Sequence, residues 1–345
     1  MRKCVSYFGN KIYDHVKIDF QDIKEHNCDS IVLTFSEEDM QYYQKNFVKI
    51  VEIAHELELE VYIDPWGVCR IFAGEAYSNF TNLYPETRQV LQSGRSAPAA
   101  CPNNPKVIEF FYKWIDAALE CNPDGIFWDE PHLYLDWEGI GDSSLACFCE
   151  VCQQKFYQKY NKLLIKNNFV LKDEISEKNL ALYNIDEQVQ QFRYDTMTEF
   201  ISKLAKYVKH KNKNVKNIVC FLSTTNERAA TDWDSITSIA EIDVISTSAY
   251  YLLGNRDISY VSTISKKILS VGNKYNKPVL LWFQLFGIPK EKTEEIRTAI
   301  NLAKQEGIKN FAVWGYKATK YMSHFQTDEP DKLWEIIKDE FAKII

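Results

Sequence analysis

The run Gly125-Ile126-Phe127-Trp128-Asp129-Glu130-Pro131-His132 sets two adjacent carboxylates and an imidazole at the end of a short apolar stretch. Paired carboxyls can divide a reaction between them. One protonates a leaving oxygen while the other attacks or activates water, which is what cleavage of a glycosidic bond requires. Side chains alternate along a strand, so Asp129 and Glu130 point the same way only if the strand has ended. On the residues alone, one is the acid and the other a positioning group. Further acids stand at other apolar runs: Asp64 in Tyr62-Ile63-Asp64-Pro65-Trp66, and Glu227 in Thr224-Thr225-Asn226-Glu227, with Asp232 beyond it. Each of these also reads as a loop cap or a surface charge.

Cys147-Phe148-Cys149-Glu150-Val151-Cys152 brings three thiols within six residues, a spacing that lets one tight loop aim several sulfurs at one point. Cys101 is the best fourth ligand, because the loop that carries it neighbours the loop carrying the triplet. Four thiolates fill a tetrahedral zinc shell and leave no position for water, so the zinc predicted here is structural. The chain has nine cysteines. Cys4, Cys28, Cys121 and Cys220 lie in or beside apolar strands and read as small hydrophobes. Cys69 lies in a long loop and does not read as a catalytic thiol.

Tryptophans recur near predicted strand ends: Trp66, Trp128, Trp282 and Trp314, with Tyr250-Tyr251 and Tyr316 at the same level. Flat rings stack on the C–H faces of sugars, and indole and phenol edges donate hydrogen bonds. Trp66, Tyr250, Trp282 and Trp314 are therefore candidate carbohydrate platforms, with His132, Asn226 and Gln284 as candidate polar contacts. Any one tryptophan is more often core than platform; their coincidence at strand ends favours the ligand.

The elements that must position these groups are eight β-rich runs, at 3–8, 30–35, 60–64, 124–129, 217–222, 243–248, 277–283 and 310–315. They alternate with helical stripes such as Phe47-Ile50-Val51-Ala54, Val261-Ile264-Ile268 and Ile296-Ala299-Ile300-Ala303. Eight βα pairs predict an α/β fold, a (β/α)8 TIM barrel over residues 1–345 as one domain. Helix-to-strand links such as Glu58-Leu59 are short. The strand-to-helix links at 65–104 and 131–186 are long, the latter a loop insertion, and both fall at the mouth where barrel enzymes keep their sites. The zinc site would join these two loops.

A composition of 46% hydrophobic and 26% charged residues supports a full core, and the net charge of -7, without a basic stripe, argues against nucleic acid as a partner. The N-terminus lacks the apolar run of a signal peptide and no stretch is long enough to span a bilayer. The expectation is a cytoplasmic protein with no membrane partner and reduced thiols; a homo-oligomer is compatible with the sequence. The Asn79-Phe80-Thr81 sequon would then be inert.

The segment Cys101-Pro102-Asn103-Asn104-Pro105, the strand ending in Glu130, and Cys147-x-Cys149-x-x-Cys152-x-x-x-Phe156 together resemble the zinc-bearing barrel of the family 42 glycoside hydrolases, the β-galactosidases of clan A. The resemblance covers little more than residues 101–156 and leaves no room for that family's additional C-terminal domains, so it implies a minimal or divergent relative. It implies a structural zinc on Cys101, Cys147, Cys149 and Cys152, an acid/base role for Glu130, and substrate hydroxyl contacts for Asp129. It also implies a nucleophilic glutamate at the end of strand seven, where this chain has Leu280-Leu281-Trp282-Phe283-Gln284. Gln284 can hydrogen-bond a sugar but cannot form a glycosyl ester. Several readings stay open: a glycosidase using Glu130, a retaining α-glycosidase with Asp129 as nucleophile and Glu227 as donor, and an inverting enzyme pairing Glu130 with Asp64. A carbohydrate-binding protein on a hydrolase scaffold and, more remotely, a metal enzyme complete the set.

Overall fold

In the computed structural model, residues 2–136, 139–164, 186–224 and 226–344 are described. Much of the predicted insertion at 131–186 therefore lies outside the described residues. Eight parallel strands close a barrel in the order β1 (Lys3–Tyr7), β10 (Asn310–Trp314), β9 (Val279–Gln284), β8 (Val244–Ser248), β7 (Lys216–Phe221), β6 (Gly125–Asp129), β3 (Glu60–Asp64) and β2 (Ser30–Thr34). This is the predicted TIM barrel, and each strand falls within two residues of its predicted bounds. The long link after β3 carries an antiparallel hairpin, β4 (Arg88–Val90) and β5 (Ser96–Ala100), which the periodicity did not disclose.

The strands form because both of their faces are buried, which selects near-continuous apolar runs such as Val279-Leu280-Leu281-Trp282-Phe283. Outward-facing residues pack under helices whose apolar stripes match those in the sequence. Phe47, Ile50, Val51 and Ala54 are buried on Gln44–Glu56, and Ile296, Ala299, Ile300 and Ala303 on Glu295–Glu306. The helix Pro105–Glu120 begins with Asn104 accepting from Lys106 N at 3.0 Å and proline in its first turn, a start signal visible in the sequence.

Inward-facing residues fill the barrel axis with Cys4, Tyr62, Ile218, Leu280 and Ala312. Beneath them Glu60 takes an ion pair from Arg2, another from Lys216 at 3.3 Å, and the Tyr62 hydroxyl at 2.6 Å. The N-terminal end is thus plugged, and open space remains at the C-terminal mouth. No described helix is long and apolar enough to cross a membrane.

Candidate active site

A cavity of about 700 Å³ opens at the mouth, lined among others by Asp64, Glu75, Asp129 and Glu130. Asp64 ends β3 and Asp129 ends β6, both on the inward face. Glu130 would face outward if the strand continued. It adopts φ 42 instead, while its N–H still donates to Cys220 O at 3.0 Å, so the chain turns and both neighbouring carboxyls enter one cavity. A left-handed glutamate is an uncommon and strained conformation. His132 supports it from behind, with Nδ1 2.7 Å from Glu130 O.

Crowding four acids in partly dry space favours their neutral forms. Burial, then the neighbouring charges of Asp129, Glu75 and Glu130, hold the Asp64 carboxyl well above the usual range. Burial, then Glu75, pushes Asp129 up to about 7, partly offset by a hydrogen bond with the Cys220 thiol. Glu130 is raised well above its ordinary value by burial, then Asp129 and Glu75. Burial acts oppositely on His132, lowering it to about 4.

The loop after β3 supplies a wall of the cavity and is fastened at several points. Ala73 N donates to Asp129 O at 3.0 Å and His132 N to Ile71 O at 2.9 Å, stitching it to the end of β6. The buried Glu37 carboxylate, just past β2, accepts from Cys69 N at 2.8 Å, Ser78 Oγ at 2.7 Å and Phe80 N at 2.7 Å. Gly74 has φ +119, and a Cβ there would fall 2.7 Å from the Trp66 indole, so glycine lets the loop close over that ring.

Trp66, Tyr250, Trp282 and Trp314 all line the cavity. Trp66 and Trp314 lie parallel within 8°, centroids 6.3 Å apart, and Phe8 stacks on both at 5.7 and 5.5 Å. Trp128 is a correction: it faces outward, its Nε1 donates to Asn217 Oδ1 at 2.9 Å, and it packs on Phe72 and Trp114. Alternation explains this, because Phe127 and Asp129 on either side point inward. Tyr251 and Tyr316 also lie off the cavity, their hydroxyls on Glu295 at 3.3 Å and Asp19 at 3.0 Å.

Four other sequence candidates are not among the lining residues: His132, Asn226, Glu227 and Gln284. Asn226 Oδ1 accepts from Trp233 Nε1 at 3.0 Å, and the carbonyl of Glu227 accepts from Gln190 and Arg193, both at 2.9 Å. Gln284 is buried with both ends of its amide engaged: Oε1 accepts from Leu253 N at 3.1 Å and Nε2 donates to Phe286 O at 2.8 Å. It fastens two loops whose Leu253 and Phe286 side chains line the cavity. Sequence reasoning missed Glu75, Arg70, Phe286, His324 and Phe325, all from loops without periodicity.

Beside this site, Cys101, Cys147, Cys149 and Cys152 place their sulfurs within 4.8 Å of one another, with Cys101 3.4 Å from Cys152 and 3.5 Å from Cys149. Sulfurs of a tetrahedral tetrathiolate zinc stand about 3.8 Å apart, given Zn–S bonds of about 2.3 Å. The cluster could therefore hold a metal ion. Gln89 ties it to the acid-bearing loop: its Nε2 donates to Ala100 O at 2.9 Å, next to Cys101, and its Oε1 accepts from Tyr134 N at 2.9 Å.

No sequence-family model matches the chain, and no curated protein matches it either. Solved structures do share its fold. The catalytic domain of a β-amylase from Paenibacillus polymyxa superposes with a TM-score of 0.66 at 12% identity, covering 100% of this chain and 98% of that one. A β-galactosidase from the Antarctic haloarchaeon Halorubrum lacusprofundi gives 0.73 at 10% identity, covering 100% and 58%. A GH42 β-galactosidase from G. stearothermophilus gives 0.71 at 12% identity, covering 99% and 56%. The chain thus spans little more than half the length of these two β-galactosidases. The fold is that of the TIM-barrel glycoside hydrolases.

Proposed function

We propose that the protein is a glycoside hydrolase acting on an oligosaccharide or small glycoside, with Glu130 as general acid/base. The observation that carries the reading is the turn at Glu130, which brings it and Asp129 into the same aromatic-walled cavity as Asp64. A carboxyl raised well above its ordinary range holds its proton more firmly than a solvated glutamate and can deliver it to a departing glycosidic oxygen. Asp129, pushed to about 7, exists there in both forms and is suited to attack the anomeric carbon or to deprotonate water once Glu130 has given up its proton. Asp64 is the alternative second carboxyl, through an inverting route. Trp66 and Trp314 would hold the sugar face. That barrels of the same fold belong to a β-amylase and β-galactosidases supports a carbohydrate substrate.

The four cysteines would hold a structural zinc. A tetrathiolate shell has no open position, so the metal would brace the two loops and take no part in the reaction. Free cysteines and the lack of a membrane-crossing helix among the described residues are consistent with a cytoplasmic setting.

A second reading, a carbohydrate-binding protein on a hydrolase scaffold, is favoured by Gln284: the strand end that would carry a clan A nucleophile bears an amide spent on two loop contacts. A panel of α- and β-linked glycosides separates the two. Turnover that falls on Glu130→Gln supports the enzyme; binding without turnover on any linkage supports the binding protein.

A further inference from the structure

Arg193, on the helix Glu187–Lys211, is buried at 2% exposure. Its hydrogen bonds all go to neutral oxygens: Nε donates to Ala146 O at 2.7 Å, Nη1 to Gln190 Oε1 at 2.7 Å and to Glu227 O at 2.9 Å, and Nη2 to Arg228 O. Burial, above all, disfavours its charge; Tyr194 and Cys147 favour it, and Arg228 opposes it. A guanidinium stays charged near neutral pH all the same, and a buried charge without a counter-charge costs free energy.

The counter-charge stands one residue beyond its first partner. Ala146 precedes Cys147, whose sulfur lies within 4.8 Å of those of Cys101, Cys149 and Cys152. A zinc ion held by four thiolates carries a net double negative charge. The other groups at the cluster leave that charge unanswered: Asn103 Nδ2, 3.3 Å from Cys152 Sγ, is a neutral donor, and Lys155, which holds Asn103 Oδ1 at 2.7 Å, is paired with Glu199 at 2.7 Å.

We propose that Arg193 is the counter-cation of this centre and the link through which its metal content reaches the loop after β7. The proposal rests on the zinc reading above. The guanidinium that donates to Ala146 O also holds Glu227 O and Arg228 O, so it adds a third loop to the two that the sulfurs join. From there Ala229 O accepts from Leu133 N at 2.8 Å, next to His132, whose Nδ1 lies against the Glu130 carbonyl. Removing the metal dismantles the charge that Arg193 answers and loosens its grip on these carbonyls. Arg193 is thus a positioning residue.

The test measures zinc affinity, by competition with a chromophoric chelator, on the parent and on Arg193→Met, Arg193→Gln, Arg193→Lys and Gln190→Ala. The two neutral variants should bind zinc about ten- to a hundredfold more weakly, the usual worth of a group that supports a metal's ligands. Arg193→Lys keeps the charge without the planar fork and should recover part of the loss. Gln190→Ala removes a neutral partner of both Arg193 and Glu227 O and should bind like the parent. An equal loss in Gln190→Ala, or parent-like affinity in a folded neutral variant, overturns the role of Arg193 and leaves the zinc reading standing. Hydrogen exchange on the parent needs no variant and decides if neither neutral variant folds. Stripping zinc should speed exchange of the Leu133, Ala230 and Thr231 amides by about tenfold or more, while those of β9 hold. Exchange that rises in the cysteine-bearing loops alone overturns the link to the loop after β7. A parent that takes up no zinc overturns the centre and the role of Arg193 together.

Discussion

His132 Nδ1 lies 2.7 Å from the carbonyl oxygen of Glu130, and burial holds the imidazole down to about 4. The ring is therefore neutral near pH 7, and because a carbonyl only accepts, Nδ1 carries the proton. An uncharged histidine thus secures the backbone of a left-handed glutamate two residues away, without placing a cation beside the acid.

This arrangement makes stability depend on pH in opposite senses at two residues. Asp129 keeps its proton in the folded state between about 3.8 and 7, so its contribution is lost as pH rises through that window. His132 refuses a proton between about 6.5 and 4, so its contribution is lost as pH falls. Between pH 4 and 6.5, Asp129→Asn should raise the slope of unfolding free energy against pH by up to about 1.4 kcal/mol per unit, and His132→Ala should lower it by as much. Denaturant titrations across that range check both signs; parallel slopes in parent and variants would contradict the protonation states assigned here.

Metal content should be about one zinc per chain. Cys149→Ser should lose most of it and destabilise the two loops before the barrel, since the cluster joins loops and leaves the strands to their own ladder. Metal analysis with limited proteolysis reads this directly. Unchanged zinc and an unchanged melting temperature in the variant would remove the site.

Trp314→Ala should weaken sugar binding by about tenfold or more with the far-UV spectrum preserved, because the ring forms a wall of the cavity parallel to Trp66. Quenching of tryptophan fluorescence by ligand reports it. A variant that binds like the parent would assign the ring to packing alone.

Gln284→Ala strips partners from Leu253 N and Phe286 O, and an unpaired buried group costs about 1–3 kcal/mol. The expected result is a destabilised protein with weaker ligand binding, measured by urea unfolding and by titration. Unchanged stability would show that the two loops do not depend on this amide.

The barrel was legible because its physics is periodic. Apolar runs such as Val279 to Phe283, buried on both faces, and helical stripes such as Ile296, Ala299, Ile300 and Ala303 repeat at spacings that only strands and helices satisfy. The cysteine cluster was legible for a different reason: three thiols in six residues need only a short loop to converge, and the fourth lies on the adjoining βα link. Trp128 could have been placed by the same alternation that places Asp129. Glu75 could not. Its position depends on a loop shaped by Glu37, thirty-eight residues earlier, and by a glycine that lets the chain pass Trp66. Glu227 and Asn226 illustrate the converse limit: β7 ends at Phe221, and both residues beyond it lie off the cavity, a placement that no spacing encodes.

The most direct measurement compares Glu130→Gln with the parent on two substrates, a natural oligosaccharide and an aryl glycoside with a good leaving group. The substitution keeps the side chain's size and removes its proton, so turnover of the oligosaccharide should fall by about a hundredfold or more, while the aryl glycoside, which needs little protonation, should lose much less. Equal losses on both substrates, or a parent that binds sugars and cleaves neither, would contradict Glu130 as the general acid.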